Sequence, residues 1–128
     1  MNTATICLGS NTSDAAAYIN RAADFLSTLA HIVNDSGAYP SDPEKSVSTA
    51  IYTNRLLEIT TELDYETLHG KCKEYESGVR ATVRQPDRVT VDIDIVVFNN
   101  EILRPVDYSS AYYRKGLLRL CQTANTLL

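Results

Sequence analysis

The stretch VTVDIDIVVF, Val89 to Phe98, decides how the chain is read. Alternate residues of a strand point to one face, so Asp92 and Asp94 stand side by side on one face. Val91, Ile93, Ile95 and Val97 turn the other way, into a core. Two carboxylates roughly 7 Å apart along a strand repel one another unless a cation joins them. Magnesium, a hard divalent cation, takes carboxylate oxygens and fills its remaining positions with water and phosphate oxygens. The bland reading is a solvated strand face whose charges discourage edge pairing.

Immediately upstream lies GVRATVRQPDR, Gly78 to Arg88. It brings Arg80, Arg84 and Arg88 together in an otherwise acidic chain. Guanidinium groups grip phosphate oxygens as a bidentate fork, and magnesium ligands beside an arginine-rich loop suit a triphosphate. A solvated basic turn at a helix end is the competing reading. His31 and His69 have no partner at ligand spacing, and the eight tyrosines are spread as core residues are.

Working outward, Thr3 to Leu8 reads as a strand stopped by Gly9-Ser10-Asn11. Thr12 or Ser13 then caps a helix with an apolar stripe at Tyr18, Ala22, Phe25, Leu26 and Leu29. His31 to Tyr39 is a second strand, ended by Pro40. PSDPEKSVS, from Pro40 to Ser48, is a long proline-broken loop. Tyr52 to Thr60 is a third strand. Asp64 caps a second helix with Tyr65, Leu68, Cys72 and Tyr75 inward, and Gly78 ends it. After the quoted strand come a short extra strand within Glu101 to Pro105 and a helical tail, Gly116 to Leu128. The order β-α-β-β-α-β predicts an α+β, ferredoxin-like fold. It has an antiparallel four-stranded sheet, two helices on one face, and the other face open to a ligand.

The chain has 128 residues and reads as a single domain, 1–128. No apolar run approaches the roughly 18 residues of a membrane span, and the N-terminus does not read as a signal peptide. Cysteines at 7, 72 and 121 are odd in number and scattered, which argues against a disulfide framework and for a cytoplasmic protein. The net charge of −4 argues against general nucleic-acid binding.

Several pieces, in order, resemble the 6-hydroxymethyl-7,8-dihydropterin pyrophosphokinases of folate biosynthesis. They are Leu8-Gly9-Ser10-Asn11, then Ser36-Gly37-Ala38-Tyr39 before the Pro-rich loop, and Tyr52-Thr53-Asn54. Glu74 follows, four residues before Gly78, and then Arg88 with Asp92-Ile93-Asp94-Ile95. The resemblance implies that Asp92 and Asp94 hold two magnesium ions bridging the phosphates of ATP. It implies that Asn54 reads the pterin ring with Tyr52 beside it, and that Glu74 lies near the adenosine. It gives Arg88 and Arg104 phosphate contacts, and Arg80 and Arg84 fall in the same ATP-binding region. The implied reaction transfers pyrophosphate from ATP to the pterin hydroxymethyl group and releases AMP. ATP and a pterin are thus the expected partners of a monomer or homodimer, without nucleic acid or membrane.

The chain also departs from the family. Gly78-Val79-Arg80-Ala81 stands where the family has Gly-Arg-x-Arg, and Gln85-Pro86-Asp87-Arg88 where it has an aromatic-Gly-Pro-Arg run. Ser109-Ser110-Ala111 replaces Pro-His-Tyr, and Lys115-Gly116-Leu117 replaces Arg-Gly-Phe. These changes define a second reading, a paralogue with an altered substrate or a ligand-binding or interaction domain without turnover.

Overall fold

A computed structural model of the chain describes residues 1–41, 51–82 and 88–126. Most of the proline-broken loop, and Arg84, lie outside the described residues. The elements run β1 (Asn2–Ser10), α1 (Ala15–Ser27), β2 (His31–Asp35), β3 (Tyr39–Ser41), β4 (Tyr52–Thr61), α2 (Tyr65–Thr82), β5 (Asp92–Phe98), β6 (Glu101–Ile102), α3 (Pro105–Tyr108) and α4 (Ala111–Thr126). The fold is α+β. The strands form an antiparallel sheet in the order β2-β4-β1-β5-β6, with β3 also paired to β4.

Among the described residues the sheet has six strands: the four expected, the short extra one read within Glu101 to Pro105, and one more because the second strand is broken. The second strand breaks at Ser36-Gly37-Ala38, where Gly37 adopts φ 70°, a left-handed conformation that glycine takes without a Cβ clash. Asp35 grips the break from one side: it accepts from Gly37 N at 2.8 Å and from Arg55 Nε of β4 at 2.9 Å. On the other side Ser36 Oγ accepts from Leu56 N at 2.9 Å. Pro40 therefore lies inside β3 rather than ending a strand. At the far end, Asn99 and Asn100 both have positive φ and turn β5 back into β6.

The first face of the sheet carries α1 and α2. Ile6 and Leu8 of β1, Leu57 and Ile59 of β4, and Val91, Ile93 and Ile95 at β5 pack against Ile19, Ala22, Leu26, Leu68 and Cys72. This is the alternation read from the quoted stretch, up to Ile95. Val97 does not follow it. Thr5 pairs with Val97 and Ile6 with Ile95, so Val96 is an extra, bulged residue. The bulge puts Val96 and Val97 together on the opposite face and returns Phe98 to the first.

That opposite face is not open along its whole length. The tail helix α4 begins at Ala111, before Gly116, and lays Tyr113, Leu117 and Leu120 over Cys7, Leu56 and Val96. Cys121, next to Leu120 on this helix, is exposed. The end of the sheet bearing the aspartates stays open, as does the opposite end around Thr3, Thr5, Glu58 and Thr60.

Helix ends differ in detail from expectation. Asp64 caps α2 through Oδ1, which accepts from Thr67 N at 2.8 Å. Asp14 rather than Thr12 or Ser13 is the N-cap of α1, and it makes no side-chain capping bond. Gly78 does not end α2, which runs to Thr82. At an exposed helical position glycine costs only about 1 kcal/mol, too little to stop a helix anchored by its packed face. Among the described residues no helix is long and apolar enough to cross a membrane.

Candidate active site

Strand register builds the site. Gly9 on β1 pairs with Asn54 of β4 on one side and Asp92 of β5 on the other. One row along, Cys7 lies between Leu56 and Asp94. Cross-strand partners share a face, so Asn54, Gly9 and Asp92 form a line across three strands, about 10 Å end to end. Gly9 has no side chain, and its bare backbone makes the floor between the amide and the carboxylate. A Cβ there would already come within 3.3 Å of Asn54 Oδ1. A cleft of about 290 Å³ stands over this floor, walled by Ser41 and Tyr52 at one side and by Asp94, Arg104, Asp107 and Tyr112 at the other.

The Leu8-Gly9-Ser10-Asn11 turn sets where β5 begins. Asn11 N donates to Val89 O at 3.0 Å and Asn11 Oδ1 accepts from Val89 N at 2.5 Å, while Ser10 Oγ donates to Val89 O at 3.3 Å. Both side chains are buried. The turn thus places Arg88 beside the start of the aspartate strand.

Charges inside the cleft are unevenly balanced. The Asp92 carboxyl is pushed up to about 6, first by burial and then by the charges of Asp94 and Glu76, with Lys73 and Arg80 pulling against them. Among the described residues Asp94 has two cationic neighbours: Lys73 Nζ at 3.5 Å and Arg104 Nη1 at 3.7 Å. Arg104 is held in turn by Asp107, whose Oδ2 accepts from Nε at 2.5 Å. Tyr112 donates its hydroxyl to the other Asp107 oxygen, and its carbonyl accepts from Tyr39 Oη at 2.8 Å. The Cys7 thiol on the floor is pushed well above its ordinary range by burial, and next by Asp94, Asp107 and Asp92. It stays protonated and is no nucleophile.

Of the residues singled out from the sequence, Tyr52, Asn54, Asp92, Asp94 and Arg104 line this one cleft. Arg80 lies exposed in the last turn of α2, close enough for its charge to act on Asp92. Arg88 is exposed at the head of the segment leading into β5. Glu74 is exposed on α2, and Glu76, two residues further on, is the glutamate that turns inward to β5. His31 is exposed and His69 stacks on Tyr65, with ring centroids 5.3 Å apart. Sequence reasoning passed over Lys73, Glu76, Asp107 and Tyr112. Glu76 left a signal, since it continues the i, i+4 row of Leu68 and Cys72 that otherwise faces the core.

The sheet-end cleft of this antiparallel α+β fold joins an acid pair to an amide and a guanidinium. Residues 5–122 match the family described as 7,8-dihydro-6-hydroxymethylpterin-pyrophosphokinase, and the chain belongs to that family, transferases of folate biosynthesis. Among curated proteins it is similar to the 2-amino-4-hydroxy-6-hydroxymethyldihydropteridine pyrophosphokinase of Haemophilus influenzae. The two are 33% identical over 108 residues, which cover 81% of this chain and 67% of the relative.

Proposed function

We propose that the chain, on a ferredoxin-like βαββαβ core, transfers pyrophosphate from ATP to the hydroxymethyl group of 6-hydroxymethyl-7,8-dihydropterin. The observation that carries this reading is the row Asn54-Gly9-Asp92, which sets an amide able to read a pterin edge and a carboxylate suited to a metal–nucleotide on one floor. The hydroxymethyl oxygen attacks the β-phosphorus and gives up its proton to solvent, the bond to the α–β bridging oxygen breaks, and AMP leaves with that oxygen.

Asp92 and Asp94, two carboxylates lining one cleft, suit magnesium with a nucleotide, which needs one or two carboxylates and takes its remaining oxygens from water and phosphate. Asp92 and Asp94 would hold it, and it would draw charge from the phosphate oxygens as the bridge breaks. Arg104, oriented by Asp107, faces the cleft beside Asp94 and is placed to meet a phosphate oxygen. Arg80, Arg84 and Arg88 supply further positive charge from the segment before β5. The bare Gly9 floor lets a flat ring lie close to the sheet, with Tyr52 at its edge.

The test is incubation with magnesium–ATP and the dihydropterin, followed by chromatography of the nucleotides. Pterin-dependent AMP is expected. ADP, or no pterin-dependent product at high enzyme concentration, would overturn the reading. A second expectation concerns Asn54, whose amide both donates and accepts. Its Nδ2 already donates to Ser41 Oγ. Asn54→Ala should weaken pterin binding about tenfold or more, since an unpaired polar edge costs about 1–3 kcal/mol. Nucleotide affinity should hold, and calorimetry on both ligands separates the two effects.

A further inference from the structure

The outer edge of β5 is closed at the aspartates by side chains and not by a strand. β6 pairs only with Val97 and Phe98. Between Asp92 and Ile95, β5 has β1 on one side and, among the described residues, no strand on the other. Ile93, the residue between the two aspartates, has both backbone groups taken up by α2. Its N–H donates to Glu76 Oε2 at 3.3 Å, and its carbonyl accepts from Lys73 Nζ at 3.2 Å. Lys73 also donates to both Glu76 oxygens, at 3.2 and 2.9 Å, and to Asp94 Oδ1 at 3.5 Å. An ammonium has three donors, and these contacts engage all of them.

Glu76 is only 2% exposed. A buried carboxylate is costly, and an apolar residue there would extend the Leu68–Cys72 row at no such cost. What an apolar residue cannot do is accept from the Ile93 N–H while holding a lysine against the Ile93 carbonyl.

We infer that Lys73 and Glu76 are positioning residues of the metal–nucleotide site, a two-residue substitute for the missing strand that clamps Ile93 and so fixes Asp92 and Asp94. Lys73 has a second effect at the same point, because its ammonium gives Asp94 a standing counter-charge in the ligand-free protein. The inference rests on the proposal that Asp92 and Asp94 receive magnesium–ATP. A merely structural ion pair makes a different demand, since its loss should alter stability and leave ligand affinities in their parent ratio.

Removing Lys73 alone leaves the Glu76 carboxylate buried without its cation, so the informative variant is Lys73→Met/Glu76→Leu, which removes both. Its probes are the magnesium complex of α,β-methylene-ATP and 6-hydroxymethylpterin, by calorimetry, together with amide hydrogen exchange by NMR. The expected result is parent-like pterin affinity, nucleotide affinity at least tenfold weaker, and Ile93 amide exchange at least a hundredfold faster. Lys73→Arg, which keeps the cation and its reach, should restore nucleotide affinity to within about threefold. Nucleotide binding within twofold of the parent, an equal loss for both ligands, or unchanged Ile93 exchange would each overturn the inference and leave the proposed function standing. Failure of the parent protein itself to bind the nucleotide complex would overturn that function, and the clamp's role with it.

Discussion

Asp92→Asn should weaken magnesium–ATP binding by about a hundredfold or more, and at pH 8 it should make the ligand-free protein more stable than the parent. The binding loss follows from chemistry: a neutral amide replaces a carboxylate at the proposed ion site, and a hundredfold corresponds to about 2.7 kcal/mol. The stability gain follows from the surroundings of the carboxyl. Burial, then Asp94 and Glu76, push Asp92 up to about 6, above the value near 3.9 of an unfolded chain. The folded state therefore holds the Asp92 proton more tightly than the unfolded state does. That contribution to stability is fully present below about pH 4 and is lost as pH rises through about 6. Above that pH the folded protein carries an ionised group it would rather have neutral. Two pH units correspond to about 2.7 kcal/mol, and solvent at the half-buried side chain reduces this to about 1–2. The gain should appear in thermal melts at pH 8 and vanish at pH 4. Weakened binding and raised stability together cannot be produced by partial unfolding. Parent-like nucleotide binding would remove Asp92 from the site, and lower stability at pH 8 would contradict its electrostatic account.

The readings that held were those carried by local periodicity. The 2-residue alternation of VTVDIDIVVF placed Asp92 and Asp94 on one face because nothing before Ile95 disturbs the pleat. The bulge at Val96 left no mark: in Val96-Val97-Phe98 any of the three residues suits either face, and the choice is made by pairing with β1. The break in the second strand did leave a mark at Gly37, but one glycine in an apolar-polar run fits a continuous strand as well. The cleft itself was partly legible. Asn54 and Asp92 are 38 residues apart, and only the register through Gly9 makes them neighbours. Lys73 belongs to the part that was not, and Glu76 showed only as an acidic residue on the Leu68–Cys72 row, because the reach of a helix side chain round a sheet edge leaves no mark of its partner in the sequence. The paired aspartates are legible in the sequence, while the contacts of Lys73 and Glu76 with the Ile93 backbone between them are a tertiary fact.

Gly116→Ala should destabilise the protein by about 2–4 kcal/mol, although in most helices the same change is favourable. On propensity alone, alanine for glycine within a helix gains about 1 kcal/mol. Here the new methyl would stand 2.3 Å from Tyr39 Oη and 2.9 Å from a Leu56 methyl. Neither neighbour can give way cheaply. Tyr39 is 2% exposed, and its hydroxyl donates to the Tyr112 carbonyl at 2.8 Å, while Leu56 is fully buried. Overpacking of this kind costs about 1–3 kcal/mol, and breaking the buried hydrogen bond adds about 1–3 more. Gly70→Ala is the control, since a Cβ there meets nothing within 4 Å and the propensity gain should appear undiminished. The consequence reaches the cleft. The residue that loses its Tyr39 contact is Tyr112, whose hydroxyl holds Asp107, and Asp107 orients Arg104 beside Asp94. A methyl group on α4 should therefore weaken nucleotide binding as well as stability, although it faces Tyr39 and Leu56 rather than the aspartates. Denaturant melts of Gly116→Ala and Gly70→Ala, with nucleotide titrations of each, measure both effects. Equal stability in the two variants would mean that α4 does not pack against β4 as described.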